Sequence, residues 1–467
     1  MTDLVVAANR GPARVVVAED GSTSAAAPAG GLAPSLARAL AGTGATWVAA
    51  PATPDERRVA RERGHVELEE GIVLELVDVA EEVQAAAYRV VANGTLWFLL
   101  HNLFDRVYRP AFDRRFGEAW DAYRTYNRAF AQRIAERAAP GALVVVHDYH
   151  LLLAGAYLAE QRPDLRTVHF SHTPFCTPEE LALLPRAVAQ ELLAGLASYG
   201  AAGFHTPRWA DAYRACARAF GLGETAPFVA PLGADRERLE ALVASPACVA
   251  ARDELLGRLG GRSLIVRVDR AEPSKNLVRG FLAFEELLER RPELRGRVQF
   301  HARAYLSRQE LPEYLAYRAN VEHLVERINE RFTLPGGEPP VELATDDDLD
   351  RSLAALCCYD VLLVNPIRDG MNLVAKEGPL VNARSGVLAL SREAGAFHEL
   401  ADGALAIDPF DVSGTASVLE RALALEPAER TERAARLAEA AGAWPPSRWF
   451  AAVAAQARRA VRGPDRG

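Results

Sequence analysis

The sequence predicts an α/β fold built from two consecutive parallel-sheet domains. Short apolar segments alternate with stretches of helical periodicity, which is typical of parallel strands covered by helices on both faces. The alternation is interrupted by the polar stretch 236–262 and then starts again. The chain has 467 residues, enough for two or three domains of ordinary size. We therefore predict two α/β units of roughly 200 residues each.

The strands of the first half are marked by apolar runs between polar segments. We predict them at Leu4–Ala8, Thr46–Ala50, Gly71–Val77, Ala142–Val146, Thr167–Phe170, Gly200–Phe204 and Phe228–Val229. Residues 118–138 carry their apolar side chains on one helical face and predict a long helix. A shorter helix begins at Gly30-Gly31-Leu32 and runs to Leu40.

The second half repeats this pattern. Its strands are predicted at Ser263–Val268, Arg297–Ala302, Val361–Val364 and Val387–Leu390. Lys275–Arg290 is amphipathic and ends before Pro292, so it predicts a helix. The alanine-rich segment 426–459 predicts terminal helices.

Composition excludes several classes of protein. The formal charge of −8 argues against nucleic-acid binding through an overall basic surface. No apolar run reaches the ~20 residues of a membrane helix, and the first residues lack the features of a signal peptide. The five cysteines form no Cys-x-x-Cys, so we expect buried thiols rather than disulfides or a zinc site. We expect a cytoplasmic protein without membrane or nucleic-acid partners.

Motif searches exclude further classes of enzyme. The chain has no P-loop and no Gly-x-Gly-x-x-Gly after its first strand, which disfavours P-loop NTPases and nicotinamide dinucleotide enzymes. It also has no His-Glu-x-x-His and no Gly-x-Ser-x-Gly. The triplet Asp346–Asp348 is interpreted as a solvated helix N-terminus rather than as a metal site.

Lysine is nearly absent from the chain. Of the 54 basic residues, 52 are arginine, and the two lysines are Lys275 and Lys376. Because arginine serves wherever a general positive charge is needed, these positions are candidates for a requirement for a compact ammonium group. Chance retention is the alternative for both.

Polar residues come directly after several of the predicted strands. Ligands of open parallel sheets bind at this place, beyond the carboxyl ends of the strands. Arg270 and Lys275 are spaced to clamp a diphosphate, with one guanidinium fork and one point charge. Backbone amides after Asp369 precede a helix and can stabilise a leaving phosphate. Asp148 and Asp369 can accept hydrogen bonds from sugar hydroxyls, and His172 can bond to one. The alternatives are surface charge for the arginine and lysine and a structural role for His172.

In their order along the chain, these motifs resemble the trehalose-6-phosphate synthase family of retaining glycosyltransferases. The likeness runs from Leu4 to about Ser413 and is closest to the actinobacterial branch. Its most specific segments are His147–Leu151, His172–Phe175, Val268–Arg270 with Ser274–Asn276, and Arg368–Glu377.

The resemblance implies a GT-B fold, with two Rossmann-like domains facing across a cleft. It places an acceptor-binding domain at 1–240, a nucleotide-sugar-binding domain at 241–440, and a helix at 441–467 that returns to the N-terminal domain. The implied reaction moves glucose from GDP-glucose or UDP-glucose to glucose 6-phosphate with retention. The substrates are small molecules, and no metal or other cofactor is expected. The oligomeric state stays open, a homo-oligomer included, and so does the pathway.

The resemblance also implies roles for individual residues. The acceptor residues are Arg10, Tyr88 and Arg308 on the phosphate, Asp148 on the hydroxyls, and Trp97 nearby. Among the donor residues, His172 and Asp369 contact the glucose, and Glu377 contacts the ribose. Arg270 and Lys275 contact the diphosphate. Further diphosphate contacts come from Gly31 and from the amides of Gly370, Met371, Asn372 and Leu373. His172, Arg270, Lys275 and Asp369 form the implied catalytic set.

Two departures from the family pattern bear on the donor base. Arg303 and Ser352 stand near the base at positions that are apolar in uridine-selective members, which favours guanine over uracil and leaves adenine open. Two other functions are alternatives: coupling of a cyclitol nucleotide to an amino-cyclitol phosphate, and a non-catalytic sugar-phosphate sensor. The intact Arg368–Met371 segment favours the sugar reaction, and the presence of Arg270, Lys275 and Asp369 argues against the sensor.

Overall fold

The computed structural model describes residues 1–18, 20, 22–26, 32–69, 71–223 and 226–459. The chain divides into two compact units. The first comprises Met1–Pro231 together with the C-terminal segment from Pro446, and the second comprises Leu232–Pro445. Among the described residues, no helix is both long enough and apolar enough to cross a membrane.

The strands of the described residues are numbered in chain order. They are β1 (Thr2–Ala7), β2 (Arg14–Val17), β3 (Thr23–Ala26), β4 (Thr46–Ala49), β5 (His65–Glu67), β6 (Val73–Leu76), β7 (Ala138–His147), β8 (Arg166–Ser171), β9 (Ala201–Phe204), β10 (Phe228–Val229), β11 (Ser263–Arg270), β12 (Val298–Tyr305), β13 (Val341–Ala344), β14 (Val361–Val364), β15 (Val387–Ser391) and β16 (Leu405–Ile407).

The α-helices are numbered in the same way. They are α1 (Leu32–Leu40), α2 (Pro54–Glu62), α3 (Glu81–Ala85), α4 (Trp97–Leu100), α5 (Arg114–Arg137), α6 (Ala154–Gln161), α7 (Pro178–Leu181), α8 (Arg186–Ala197), α9 (Pro207–Ala219), α10 (Arg236–Val243), α11 (Pro246–Leu259), α12 (Leu277–Arg290), α13 (Pro312–Phe332), α14 (Leu349–Cys358), α15 (Val374–Val381), α16 (Phe397–Leu400), α17 (Val412–Ala424), α18 (Pro427–Gly442) and α19 (Pro446–Arg459). A π-helix, Ala86–Leu96, joins α3 to α4, and short 3₁₀ turns occupy Tyr149–Leu151, Pro273–Lys275 and Pro292–Leu294.

The first unit is built on a sheet of order β10-β9-β8-β7-β1-β4-β6-β5. Its pairs are parallel except for the antiparallel edge pair β5–β6. The chain leaves β1 toward one edge and returns at β7 on the other side of β1, so the strand order reverses between these two strands. Such a reversal opens a crevice at the carboxyl ends, where ligands of α/β proteins bind. Helix α19 belongs to this unit, and its Trp449 packs edge-on against Phe170 at 4.9 Å between ring centroids.

The second unit has a sheet of order β13-β12-β11-β14-β15-β16, and all its pairs are parallel. Alternate residues of its central strands enter two separate apolar cores. Leu264 and Val266 belong to one core and Ile265 to the other. Both faces are therefore buried, which is why these strands are continuously apolar. Here the order reverses between β11 and β14, the second place where a ligand crevice is expected.

The predicted strands and the long helix are found with shifts of a few residues at their ends. The helix predicted at Lys275–Arg290 begins later, at Leu277, because Asn276 has a φ of 58° and ends the 3₁₀ turn that holds Lys275. The short strands β2, β3, β5, β13 and β16 were not predicted.

The division between the units falls after Pro231 rather than within 236–262. Helices α10 and α11 belong to the second unit, where they pack against α14 and α15. The interpretation of Asp346–Asp348 holds for its last residue, because Asp348 caps α14 by accepting from the Arg351 amide at 2.9 Å. All five cysteines are buried free thiols, as predicted.

Candidate functional site

In the first unit, Arg10 follows β1 at the point where the strand order reverses. The Nε1 of Trp47 donates to the Arg10 carbonyl at 3.1 Å, and Tyr126 donates to the preceding Asn9 side chain at 2.7 Å. The backbone is thereby fixed while the Arg10 side chain stays exposed. One Arg10 nitrogen donates to the Tyr88 hydroxyl at 3.3 Å. Two of the predicted acceptor-phosphate residues therefore lie together.

Asp148 follows β7, on the other side of the same reversal. Its backbone is left-handed, with a φ of 67°, a conformation that costs a non-glycine residue free energy and is common at functional sites. Several contacts hold it there: its carboxylate accepts from the His172 amide at 2.9 Å, and its carbonyl is 3.0 Å from the His169 Nε2. Asp148 and His172 are thus brought together by the ends of β7 and β8.

His172 lies in the middle of a line of three imidazoles. Its Nε2 is 3.0 Å from His147 Nδ1, and its Nδ1 is 3.1 Å from His205 Nε2. Burial, reinforced by the neighbouring imidazoles, holds the pKa of His172 well below its usual range and lowers that of His147 to about 3. His147 and His172 are therefore neutral at physiological pH, so each of these two rings has one donor nitrogen and one acceptor nitrogen. No group of described side chains, these imidazoles included, is arranged to hold a metal ion.

Tyr88 is carried by the π-helix Ala86–Leu96, an unusually long run of a rare structure. Two side chains bond carbonyls five residues back: Asn93 to Tyr88 at 3.1 Å, and Thr95 to Val90 at 2.9 Å. Between them, a Cβ added to Gly94 would lie 2.6 Å from the Arg89 carbonyl oxygen. The segment Asn93-Gly94-Thr95 therefore permits and stabilises the π spacing.

Trp97, the predicted neighbour of the acceptor, begins α4 directly after the π-helix. It is 2% exposed, and its ring packs on His101 with 4.5 Å between centroids. The structure places it in the core beneath the π-helix.

In the second unit, the reversal between β11 and β14 is spanned by an ion pair. Lys275 Nζ lies 2.6 Å from Asp369 Oδ2, and both side chains are largely buried. Burial alone would lower the pKa of Lys275, but Asp369, Asp269 and Glu272 outweigh it and raise the pKa. The lysine therefore stays charged.

Asp369 also organises the loop before α15. Its carboxylate accepts from the Asn372 side chain at 3.1 Å and the Met371 amide at 3.4 Å. Asn372 is left-handed, with a φ of 77°, so the chain turns sharply before Leu373, which precedes α15. The predicted donor segment, including Gly370, is thus one compact turn attached to Lys275.

Arg270 ends β11 and Arg308 follows the neighbouring strand β12, and a buried carboxylate lies between them. Glu272 is 3.0 Å from Arg270 Nη2 and 3.5 Å from Arg308 Nη1. Arg308 also donates to the Tyr314 hydroxyl. The pKa of Arg270 is raised, chiefly by Glu272. Sequence analysis missed Glu272; its position two residues after Arg270 was the available indication.

Arg303, at a predicted donor-base position, is on β12. Its guanidinium is nearly buried and pairs with Asp346 at 2.7 Å. The Arg303 Nε has no hydrogen-bond partner among the described residues. Ser352 differs, because its hydroxyl donates to the Asp348 carbonyl at 2.7 Å and so satisfies the helix backbone.

Glu377 and Lys376 have separate environments on α15. Glu377 is half-buried, and burial raises its pKa. Lys376 is fully buried, and its Nζ donates to the Leu232 carbonyl at 2.9 Å and to Glu399. Lys376 is thus part of the packing of the second unit. Gly31, the remaining predicted site residue, lies outside the described residues.

Comparisons with known proteins agree on one family. The model of glycosyltransferase family 20 matches residues 2–458. A probable UDP-forming α,α-trehalose-phosphate synthase of Arabidopsis thaliana is 33% identical over 74% of this chain and 44% of its own. A trehalose-6-phosphate synthase of Mycolicibacterium vanbaalenii is 32% identical over 92% of this chain and 91% of its own. The chain spans about half the length of the first curated relatives it matches.

The fold is also found among solved structures. A structure from E. coli bound with UDP-2-fluoro glucose superposes with a TM-score of 0.86, at 29% identity, over 98% of this chain and 99% of that one. The likeness over nearly the whole length confirms the predicted α/β fold of the GT-B class.

We expect the alanine substitution Gly94→Ala to destabilise the first unit. The new methyl group would overlap the Arg89 carbonyl, so the backbone must shift, at a cost of about 1–3 kcal/mol in unfolding free energy. The measurement is urea denaturation followed by circular dichroism. The matched control is Gly117→Ala in α5, where the added Cβ would meet no described atom within 4 Å outside its own helix and the better helix former should not destabilise. Equal effects of the two substitutions would contradict this account of the π-helix.

Proposed function

The chain belongs to glycosyltransferase family 20, the family of the trehalose-6-phosphate synthases, and we propose that it makes α,α-trehalose 6-phosphate. In this proposal, glucose passes from a nucleoside diphosphate glucose to glucose 6-phosphate with retention of configuration at C1. The second product is the free nucleoside diphosphate.

The observation that carries the proposal is the arrangement of cations at the strand reversal of the second unit. Lys275 is held at 2.6 Å from Asp369, and Arg270 ends β11, just before the turn that carries Lys275, with 41% of its side chain exposed. A diphosphate needs cations already in place as its negative charge develops, because groups that need not reorganise stabilise a transition state best. The exposed fork of Arg270 and the fixed ammonium of Lys275 suit that requirement.

The proposed chemistry needs no protein nucleophile. The bond from C1 of the donor glucose to the diphosphate oxygen breaks, and an acceptor hydroxyl oxygen bonds to C1 from the same face. The hydroxyl proton passes to the leaving phosphate oxygen, which takes the electron pair of the broken bond. The protein contributes positioning and charge stabilisation. We propose that cationic side chains do this without a metal cofactor.

The first unit supplies groups suited to a phosphorylated sugar. Arg10 and Tyr88 lie 3.3 Å apart and together offer a guanidinium and a hydroxyl to the acceptor phosphate. Asp148 accepts hydrogen bonds from sugar hydroxyls in the proposed mode. Both ring nitrogens of His172 face neighbouring imidazoles, and its backbone amide donates to the Asp148 carboxylate at 2.9 Å, so we propose that His172 helps to hold that carboxylate for the sugar.

The test is nucleotide release from GDP-, UDP- and ADP-glucose, each with and without glucose 6-phosphate. We expect release that depends on the acceptor, together with formation of a non-reducing phosphorylated disaccharide. Binding of both ligands without release from any donor would overturn the proposal in favour of a sensor.

Replacing Lys275 by arginine should lower kcat by roughly a hundredfold, the scale expected when a reacting group is misplaced by about 1 Å. The charge is kept, but the planar guanidinium cannot occupy the narrow position of the ammonium beside Asp369. The matched control is Arg290→Lys, an exchange between the same two residue types at the last residue of α12, where the side chain is partly exposed. Near-normal turnover of Lys275→Arg would contradict the assigned role.

We further propose that the donor base is guanine. Arg303 is a nearly buried guanidinium whose Nε lacks a partner among the described side chains. Guanine presents two adjacent acceptors, O6 and N7, that a guanidinium can bond together. The relatives named UDP-forming make uracil the alternative that must be tested.

Arg303→Leu should reduce the ratio of kcat/KM for GDP-glucose over UDP-glucose by about tenfold or more, because a bidentate pair contributes about 1–3 kcal/mol of discrimination. Arg351→Leu removes a surface arginine that pairs with Glu254 and should leave the ratio unchanged. A native protein that prefers UDP-glucose would exclude the guanine assignment.

A further inference from the structure

Glu272 is the most buried carboxylate near the candidate site, with 1% of its residue surface exposed. Its Oε1 is 3.0 Å from Arg270 Nη2, and its Oε2 is 3.5 Å from Arg308 Nη1. A third contact comes from Ser274, whose hydroxyl donates to Oε1 at 3.3 Å. One carboxylate therefore contacts two arginines through different oxygens.

We propose that Glu272 is a positioning residue that sets both phosphate-binding arginines at once. This rests on the proposed function, in which Arg270 contacts the donor diphosphate and Arg308 contacts the acceptor phosphate. In this arrangement the two substrates share a single support within the second unit. Loss of that support weakens the binding of both.

The backbone holds Glu272 in place independently of its side chain. The pairing of β11 with β12 continues beyond the strands, because the Ala271 amide donates to the Tyr305 carbonyl at 2.8 Å. The Lys275 amide then donates to the Glu272 carbonyl at 3.1 Å. The backbone of Glu272 is thus fixed, and the length of its side chain determines where the carboxylate holds the two guanidiniums.

The two arginines depend on Glu272 to different degrees. Arg308 has a second contact, because it also donates to the Tyr314 hydroxyl. Its backbone is left-handed, with a φ of 47°. Arg270 and Arg308 carry like charges that repel each other, so a carboxylate between them is required to keep both guanidiniums in place. Tyr314 contacts Arg308 and not Arg270 among the contacts described, so a Tyr314 variant is a matched comparison for a Glu272 variant.

Glu272 has two opposing effects on phosphate binding. Its negative charge reduces the positive potential that attracts phosphate, so its removal would tighten binding if charge alone mattered. Its hydrogen bonds fix the guanidiniums, so its removal would weaken binding if position matters more. Breaking one partner of a buried, hydrogen-bonded charge pair costs enough to change affinity by tenfold or more. The proposal therefore predicts that removal of the Glu272 charge weakens phosphate binding.

The experiment compares Glu272→Gln and Tyr314→Phe with the native protein. Isothermal titration measures the affinities for GDP, for UDP and for glucose 6-phosphate separately, and steady-state kinetics gives KM for each substrate and kcat. Glu272→Gln should weaken the nucleotide and the sugar phosphate by at least about tenfold each. Tyr314→Phe should weaken only the sugar phosphate.

Tighter binding of either ligand by Glu272→Gln, or loss of affinity for only one, would overturn the proposal. If the glutamine variant fails to fold in circular dichroism, Glu272→Asp replaces it. The shorter carboxylate keeps the charge but withdraws from both guanidiniums, so it must also weaken both ligands; unchanged affinities would overturn the proposal. A native protein that binds both ligands without turnover would contradict the proposed function while leaving this test intact.

Discussion

The charge pairs at the carboxyl edge of the second sheet are the interaction on which the site there depends. A charged side chain removed from water without a partner costs several kcal/mol. Arg267 is fully buried and pairs with Asp269 at 2.8 Å, while Lys275 pairs with Asp369. The Arg267 guanidinium also donates to the Lys275 carbonyl at 2.8 Å. Arg267 therefore holds the turn that carries Lys275, and Lys275 holds the loop that carries Asp369. The cations are in position before any ligand arrives.

In the first unit, the side chains that hold the loops at the strand reversal include neutral imidazoles. Its line of imidazoles is buried, and burial keeps the pKa of His147 and His172 low enough that the rings are uncharged. Neutral rings can lie in contact with one another because each has one donor and one acceptor nitrogen, and His172 uses both of its nitrogens on its neighbours. Neutral imidazoles thus hold Asp148 at the reversal of the first sheet, whereas ion pairs hold the loops at the reversal of the second.

The sequence predicted the features that depend on local patterns. Apolar runs mark parallel strands because both faces of such a strand are buried, and polar residues after strands mark the ligand edge because parallel strands end together. The residues it missed depend on contacts between distant segments. His205, directly after β9, and Trp449 of α19 join the imidazole cluster, and no spacing along the chain indicates that meeting. The π-helix escaped prediction because its stabilising contacts span five residues rather than four.

The two lysines show what composition can and cannot indicate. Both were singled out because the chain otherwise uses arginine, and both prove to be largely or fully buried ammonium groups paired with a carboxylate. An ammonium fits a narrow buried position that a guanidinium would overfill. Lys275 occupies such a position at the strand reversal, whereas Lys376 bonds the Leu232 carbonyl at the start of the second unit. The scarcity of lysine therefore indicates two positions that are too narrow for a guanidinium. The two positions differ in what surrounds the nitrogen: Asp369 in the loop before α15 for Lys275, and Glu399 together with a backbone carbonyl for Lys376.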